Sequence, residues 1–138
     1  MSFFDEVRAA FTATAEELKL TGPEESELIM PSANYKGSGV EYRFRFDSQE
    51  GTVTCSVKIP TDTADLTVDV EPLAIAAGIV EKCGGVSYSA RNQNQLQKSL
   101  LGQADYVRRV HPFLTDFAAA VDLMRKAGAD EWRRHGTT

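Results

Sequence analysis

The chain has 138 residues, a net charge of −5 and a pI near 5.0, with 42% apolar and 25% charged residues. This apolar content supports a folded core and excludes an intrinsically disordered chain, and the length suits one domain spanning residues 1–138. No apolar run approaches the ~20 residues of a membrane-spanning helix, and the acidic start does not resemble a secretory signal, so we expect no membrane partner.

The charge is unevenly distributed along the chain. Residues 1–70 carry six Lys/Arg and thirteen Asp/Glu, a net charge of −7, whereas residues 71–138 carry nine and seven, a net charge of +2. Nucleic-acid binding needs a concentrated basic surface, so we expect no nucleic-acid partner. Two copies of the chain could instead set acidic surface against basic surface.

The first forty residues predict one helix and little else. Residues 2–20 have apolar residues at helical spacing and end near a Gly-Pro pair, which predicts an amphipathic helix. Glu27–Met30 is a candidate short strand that a proline ends. Residues 31–39 combine Pro, Ser, Asn and Gly, a composition typical of a loop.

Three segments then alternate strictly between apolar and polar residues. They predict an antiparallel meander with strands near 39–47, 51–59 and 64–70. One face is apolar and forms the core. The other face carries Arg43 and Arg45, and acidic residues on the third strand supply opposite charges. A charge-paired face exposed to water explains this pattern, and a partner or ligand on the same face is the alternative.

The second half of the chain predicts helices. A nearly all-apolar segment, 72–83, predicts a buried helix ended by two glycines. Residues 86–91 form a candidate short strand. Residues 105–127 predict a long amphipathic helix, and Pro112 inside it either kinks the helix or splits it. The tail after this helix contains Trp132, which we expect to pack back onto the domain.

No arrangement of residues indicates catalysis. The sequence has no nucleophile–base or metal-ligand spacing, so we predict no catalytic residue, no metal and no cofactor. The only histidines are His111 and His135. Cys55 and Cys83 do not form a paired motif, and we interpret both as buried free thiols, which suits a reducing cytoplasm.

Two sets of side chains are candidate binding residues besides the two arginines of the sheet. Tyrosines with a polar tip suit a pocket between the sheet and the last helix, and His111 lies in the same region of the sequence. Arg108 and Arg109 belong to a C-terminal basic group suited to an acidic partner surface. The candidate pocket set is Tyr42, Tyr88, Tyr106 and His111.

The predicted order is helix, short strand, three-strand meander, helix, short strand and long C-terminal helix. This order resembles the fold of the type III secretion chaperones and similar small acidic bacterial proteins. The resemblance implies an α+β fold, with an antiparallel sheet of three to five strands and N-terminal, middle and long C-terminal helices packed on one face. It also implies a cytoplasmic homodimer that binds extended protein segments without a cofactor.

The sequence thus favours a non-catalytic protein-binding module, chaperone-like or adaptor-like, that acts through a surface groove or the sheet face. The alternative is a small-molecule-binding protein or small enzyme, with its pocket between the sheet and the C-terminal helix. We expect a homodimer, because the first and last helices carry heavy apolar stripes that one modest sheet does not cover.

Overall fold

A six-stranded antiparallel sheet forms one layer of the protein, and helices cover its apolar face. The computed structural model describes residues 2–134, and its strands follow the order β1-β2-β3-β4-β5-β6 across the sheet. The α+β class and the antiparallel sheet agree with the sequence, but the sheet has six strands where three to five were predicted. The strands are Thr21–Ser26, Ser32–Gly37, Val40–Asp47, Thr52–Pro60, Ala64–Asp69 and Asp130–Arg133.

The predicted meander is confirmed as β3, β4 and β5. The β3–β4 hairpin pairs Phe44 with Cys55, and its loop ends at Gly51, which has a φ of 65°. The apolar residues of these strands point to one face and are fully buried, whereas Arg43 and Arg45 lie on the other face and are exposed. Alternation along a strand places successive side chains on opposite faces, so the sequence pattern determines which face is the core.

Strands β1 and β2 were missed by the sequence analysis. The segment predicted as loop contains β2, whose Ala33 and Tyr35 face the core. A two-residue turn joins β2 to β3, and both turn residues have positive φ, as this hairpin geometry requires. The strand predicted at Glu27–Met30 is wrong, because β1 ends at Ser26 and residues 27–31 form the turn between β1 and β2.

The first helix, α1, spans Phe3–Glu17 rather than residues 2–20. Ser2 caps it by accepting a hydrogen bond from the backbone N–H of Asp5 at 3.3 Å. It ends earlier than predicted because Lys19 adopts a left-handed φ of 59°, and the N–H of Leu20 donates to the carbonyl of Ala15. The buried stripe of α1 lies at four-residue intervals: Phe3, Val7, Phe11 and Ala15.

The middle helix, α2, spans Val70–Ala76 and is shorter than the predicted helix at 72–83. Gly78, with a φ of 76°, ends it, and the N–H of Ile79 donates back to the carbonyl of Ala74. Residues 79–92 therefore run in irregular structure, and Cys83 is exposed, contrary to the prediction that both thiols are buried; Cys55 is buried.

The predicted strand at 86–91 is absent as a strand, since only a single bridge between Ser89 and Thr52 forms there.

The predicted long helix at 105–127 consists of separate helices. Helix α3 spans Gln93–Val110, a 3₁₀ turn covers His111–Leu114, and α4 spans Phe117–Lys126. Pro112 splits the helix, since it lies in the first turn of the 3₁₀ segment, and Asp116 caps α4 by accepting the N–H of Ala119 at 3.1 Å.

The tail after α4 forms β6, which pairs with β5. Trp132 therefore packs back onto the domain through the backbone pairing of its strand, as predicted, while its side chain is 65% exposed.

The helices bury the apolar face of the sheet. Phe11 of α1 contacts Tyr35 and Phe44 edge-on, with ring centroids 4.6 and 5.0 Å away. Helix α3 packs on β4, and α4 packs on β5. The opposite face of the sheet, which we call the open face, carries no helix in residues 2–134.

Candidate functional site

The open face centres on two arginines of β3. Arg43 and Arg45 are two residues apart on one strand, so their Cα atoms are separated by ~7 Å and their side chains lie on the same face. Both are exposed, and within residues 2–134 neither guanidinium group makes a hydrogen bond or an ion pair. The sequence analysis selected these two residues, and the structure brings them together.

Neutral polar residues flank the arginines on both neighbouring strands. Arg43 lies between Asn34 of β2 and Ser56 of β4, and Arg45 lies between Ser32 and Thr54. These neighbours carry amide and hydroxyl groups and no opposite charge. The residues directly opposite the two arginines thus offer hydrogen-bonding groups but no ion-pair partner, and the nearest carboxylates lie further along or across the face, at Glu24, Glu25, Glu41, Asp47 and Asp69.

Ion pairs occupy the part of the face next to the arginines. Lys58 contacts the Glu41 carboxylate at 2.9 Å and that of Asp65 at 4.0 Å. Burial acts to raise the pKa of Glu41, but the hydrogen bonds from Lys58 and Asn34 outweigh it and hold that pKa below its usual value. Lys58 thus follows the prediction of a charge-paired face, whereas the two arginines depart from it.

A depression of about 110 Å³ lies between the arginines and Lys58, and the buried Ser56 lines it. At the end of β5, desolvation raises the pKa of the Asp69 carboxyl, an effect that the charge of Arg45 reduces.

A second shallow depression adjoins Arg45 at the end of β3. Met30, Asp47 and Thr54 line it together with Arg45. Met30 belongs to the β1–β2 turn, in which Leu28 is 84% exposed and Ile29 is fully exposed. We call Leu28, Ile29 and Met30 the apolar tip. The sequence analysis missed it, because three successive apolar residues before a proline resemble a short strand.

Tyr42 and His111 lie on the other side of the sheet, in the core. The phenol oxygen of Tyr42 is 2.6 Å from Nδ1 of His111, and both residues are buried. Burial lowers the pKa of His111 and raises that of Tyr42, since each charged form loses solvation. The hydroxyl donates to Nδ1 when the imidazole carries its proton on Nε2.

Tyr88 and Tyr106 belong to a different cluster, around Glu71. The Tyr88 hydroxyl donates to one carboxylate oxygen of Glu71 at 2.8 Å, and the N–H of Gly84 donates to the other at 3.3 Å. Burial, and then the bond to Glu71, raise the pKa of Tyr88. Tyr106 is buried against Gly85, where an added methyl group would lie 2.3 Å from its hydroxyl.

The four residues predicted to share one pocket thus occupy two packed clusters. The polar atoms of three of them, Tyr42, His111 and Tyr88, are hydrogen-bonded to other protein groups. Glu71, which holds the second cluster together, was not selected from the sequence.

Arg108 and Arg109 are compensated within α3. Arg108 contacts Asp105 at 2.6 Å, and Arg109 contacts the same carboxylate at 3.6 Å and donates to the carbonyl of Ile79 at 3.2 Å. They lie on the helix layer and do not join Arg43 and Arg45. His135, the other histidine, lies outside the described residues.

Gln103 is a buried polar residue that sequence reasoning missed. Its amide oxygen accepts the N–H of Cys55 at 2.6 Å, and its nitrogen donates to the carbonyl of Val53 at 3.0 Å and to Ser99 at 3.0 Å. The pairing of β5 with β4 ends at Ser56, which lies opposite Asp69. The backbone groups of Val53 and Cys55 therefore have no β5 residue beside them. Gln103 therefore takes the place of a neighbouring strand, a structural role.

No cluster of three or more His, Cys, Asp or Glu side chains within residues 2–134 is arranged to hold a metal ion. The helices of this part of the chain include none that is long and apolar enough to cross a membrane. Comparison with known proteins finds no matching family model, no matching curated protein and no matching solved structure.

Proposed function

We propose that the protein is a non-catalytic protein-binding module, chaperone-like or adaptor-like, that binds a partner polypeptide on the open face of its sheet. The observation that carries the proposal is the pair of exposed arginines, Arg43 and Arg45, which make no ion pair within residues 2–134 although acidic residues are plentiful in this chain. A sheet face that is only solvated can pair its charges within the chain, as Lys58 does with the carboxylates of Glu41 and Asp65. It has no need of two arginines without ion pairs.

The geometry of the face also suits a polypeptide. An extended segment can lie across an open sheet surface, and Arg43 and Arg45 adjoin three separate depressions rather than one deep cavity. Arginine is enriched at protein interfaces because its planar group forms several directed hydrogen bonds. The free thiols Cys55 and Cys83 fit a reducing compartment, and we include a cytoplasmic location in the proposal.

Site-specific photocrosslinking in the native host tests this proposal. A benzoylphenylalanine at Thr54, next to Arg45 on the open face, is expected to crosslink a partner polypeptide. The matched position is Leu101, an exposed residue of α3 on the helix layer, which is expected to give no such product. A partner crosslinked from Leu101 alone, or from neither position, contradicts the proposal.

The alternative, a small-molecule site between the sheet and the C-terminal helices, has less support. Tyr42, His111 and Tyr106 are buried there, and the polar atoms of the first two bond to each other. A depression of about 510 Å³ lies between the β4–β5 turn and α4, with Thr63, Phe117 and Val121 in its lining, but it is open to solvent and is lined by none of the tyrosines and not by His111.

We also propose a homodimer. The apolar stripes that suggested it are mostly covered within the chain, since Phe3, Phe11 and Met124 are buried. Phe113 and Phe117 remain 49% and 57% exposed around the break before α4, and they supply the apolar part of the proposed interface. Sedimentation equilibrium is expected to give twice the chain mass, and Phe113→Ser/Phe117→Ser is expected to give the monomer. A monomeric parent protein at tens of micromolar contradicts this proposal.

A further inference from the structure

The open face shows what chemistry its partner should have. We propose that it recognises an extended acidic segment, in which two carboxylate side chains at alternate positions pair with Arg43 and Arg45 and an apolar side chain two positions further on contacts the apolar tip. This inference rests on the proposed function and adds to it the chemical class of the partner.

Spacing supports the two carboxylates. Side chains at alternate positions of an extended chain project to the same side, ~7 Å apart, and Arg43 and Arg45 repeat at the same interval along β3. A segment lying along β3 therefore presents one acidic side chain to each guanidinium. Each guanidinium can form a bidentate pair with a carboxylate, and the hydroxyl of the neighbouring Thr54 supplies a further hydrogen-bonding group.

Two acidic residues of β3, one on each side of the arginines, limit where the acidic side chains of the bound segment can lie. Glu41 precedes the two arginines and Asp47 follows them at the same two-residue interval on this face. Glu41 is engaged by Lys58, and one oxygen of Asp47 accepts the N–H groups of Gln49 and Glu50 at 3.0 and 3.1 Å. Additional carboxylates beyond the central two would meet these negative charges, so the face accepts two acidic positions and disfavours a longer acidic run.

The apolar tip determines which type of side chain should come after the acidic pair. The carbonyl of Pro31, next to Met30, accepts the N–H of Phe46 at 3.0 Å, which places the tip beside the end of β3. Met30 and Arg45 line one depression. Leu28 and Ile29, almost completely exposed, extend this apolar surface and offer a contact for one aliphatic side chain.

The same face does not suit a nucleic acid. Glu41, Asp65 and Asp69 lie on the open face within two strands of the arginines, and the chain as a whole carries a net charge of −5. A phosphate backbone would approach these carboxylates together with the arginines, and only a basic surface of some extent compensates such repulsion.

Binding of a designed peptide tests the inference. The probe is a fluorescein-labelled Gly-Ser-Leu-Ser-Glu-Thr-Glu-Ser-Leu-Ser-Gly peptide, whose core reads the same in both directions and so does not depend on the orientation of the segment. Fluorescence anisotropy is expected to show binding that weakens as salt is added. Replacing both glutamates by glutamine is expected to weaken binding at least about tenfold, and placing them at adjacent positions is expected to weaken it as well.

Protein variants provide the matched comparison. Arg43→Gln/Arg45→Gln is expected to weaken peptide binding at least about tenfold, whereas Arg108→Gln/Arg109→Gln, which removes the same charge from the helix layer, is expected to change it less than about twofold. Leu28→Ser/Ile29→Ser is expected to weaken binding of the parent peptide but not of a peptide in which serine replaces both leucines.

Three results would overturn the inference: no binding of the parent peptide, equal binding of the glutamine peptide, or tighter binding of a single-stranded DNA oligonucleotide than of the parent peptide. The glutamine peptide decides the matter even if the Arg43→Gln/Arg45→Gln variant fails to fold. If crosslinking from Thr54 succeeds and persists in that variant, the proposed function stands and the acidic recognition is wrong.

Discussion

The phenol oxygen of Tyr42 and the Nδ1 atom of His111 lie 2.6 Å apart inside the core, although 69 residues separate them in the sequence. Tyr42 is on β3, in the middle of the sheet, and His111 begins the 3₁₀ turn at which the C-terminal helices break. The bond therefore joins the sheet to the 3₁₀ turn at which Pro112 interrupts the regular hydrogen bonding of the helix.

Tyr42→Phe is expected to lower the free energy of unfolding by about 1–3 kcal/mol, because it leaves Nδ1 of His111 buried without a partner. Urea denaturation followed by circular dichroism measures the change. Tyr35→Phe is the matched control. Tyr35 lies on β2, directly opposite Tyr42, and its buried hydroxyl has no hydrogen-bond partner in the described chain. Its removal should cost nothing or stabilise the protein. Equal losses in the two variants would disprove the importance of the bond.

The pKa of His111 leads to a pH dependence of stability. Burial holds this pKa below the ordinary value of 6.5 in the folded protein. As the pH falls below 6.5, the unfolded chain binds a proton that the folded chain does not, so stability is lost with falling pH and is unaffected by this group above that range. His111→Gln removes this contribution. Between pH 7 and pH 5 the parent protein should therefore lose more stability than the variant. A stability difference between the two proteins that does not change with pH would contradict the assignment.

Gln103→Leu is expected to destabilise the protein by about 2–5 kcal/mol, because the N–H of Cys55 and the carbonyl of Val53 both become unpaired in the core. Gln97→Leu, an exposed position on the same helix, is the control and should stay within about 0.5 kcal/mol of the parent. The two midpoints of denaturation decide the comparison. A loss in Gln103→Leu no larger than in the control would mean that water can replace the side-chain amide.

The two cysteines are expected to react at very different rates. Cys83 is exposed in the segment after α2, whereas Cys55 is completely buried and burial raises the pKa of its thiol, so little reactive thiolate forms. Ellman's reagent should therefore modify one thiol per native chain, and the second only after denaturant is added. Cys83→Ser should remove the fast reaction. Rapid modification of both thiols in native buffer would show that β4 is accessible to the reagent.

The strands of the meander could be predicted because their residues alternate along the strand, for eight positions in β3 and nine in β4, and the face that alternation assigns to the core is the face that the helices cover. Strands β1, β2 and β6 could not. Each has at most six residues, and their polar, glycine or proline content resembles that of loops. Their strand conformation depends on pairing with a neighbour that the local sequence does not specify.

The candidate site was only partly predictable for a related reason. Arg43 and Arg45 follow from the alternation of a single strand, but the apolar tip depends on where β1 ends. His111 and Tyr42 were both selected as pocket residues, and only the three-dimensional arrangement shows that their polar atoms bond to each other. Local sequence indicates which side chains can do chemistry; the packing of distant segments determines whether they are free to do it.

Trp132 is the only tryptophan of the chain, and it lies on the edge strand β6, paired with Asp65 and largely exposed. Intrinsic fluorescence therefore reports on this edge of the sheet rather than on the core. Because β6 lies at the edge of the sheet and pairs only with β5, it can detach without breaking the pairing of the other five strands. A fluorescence transition that precedes the circular dichroism transition would then mark detachment of β6, with the rest of the domain still folded.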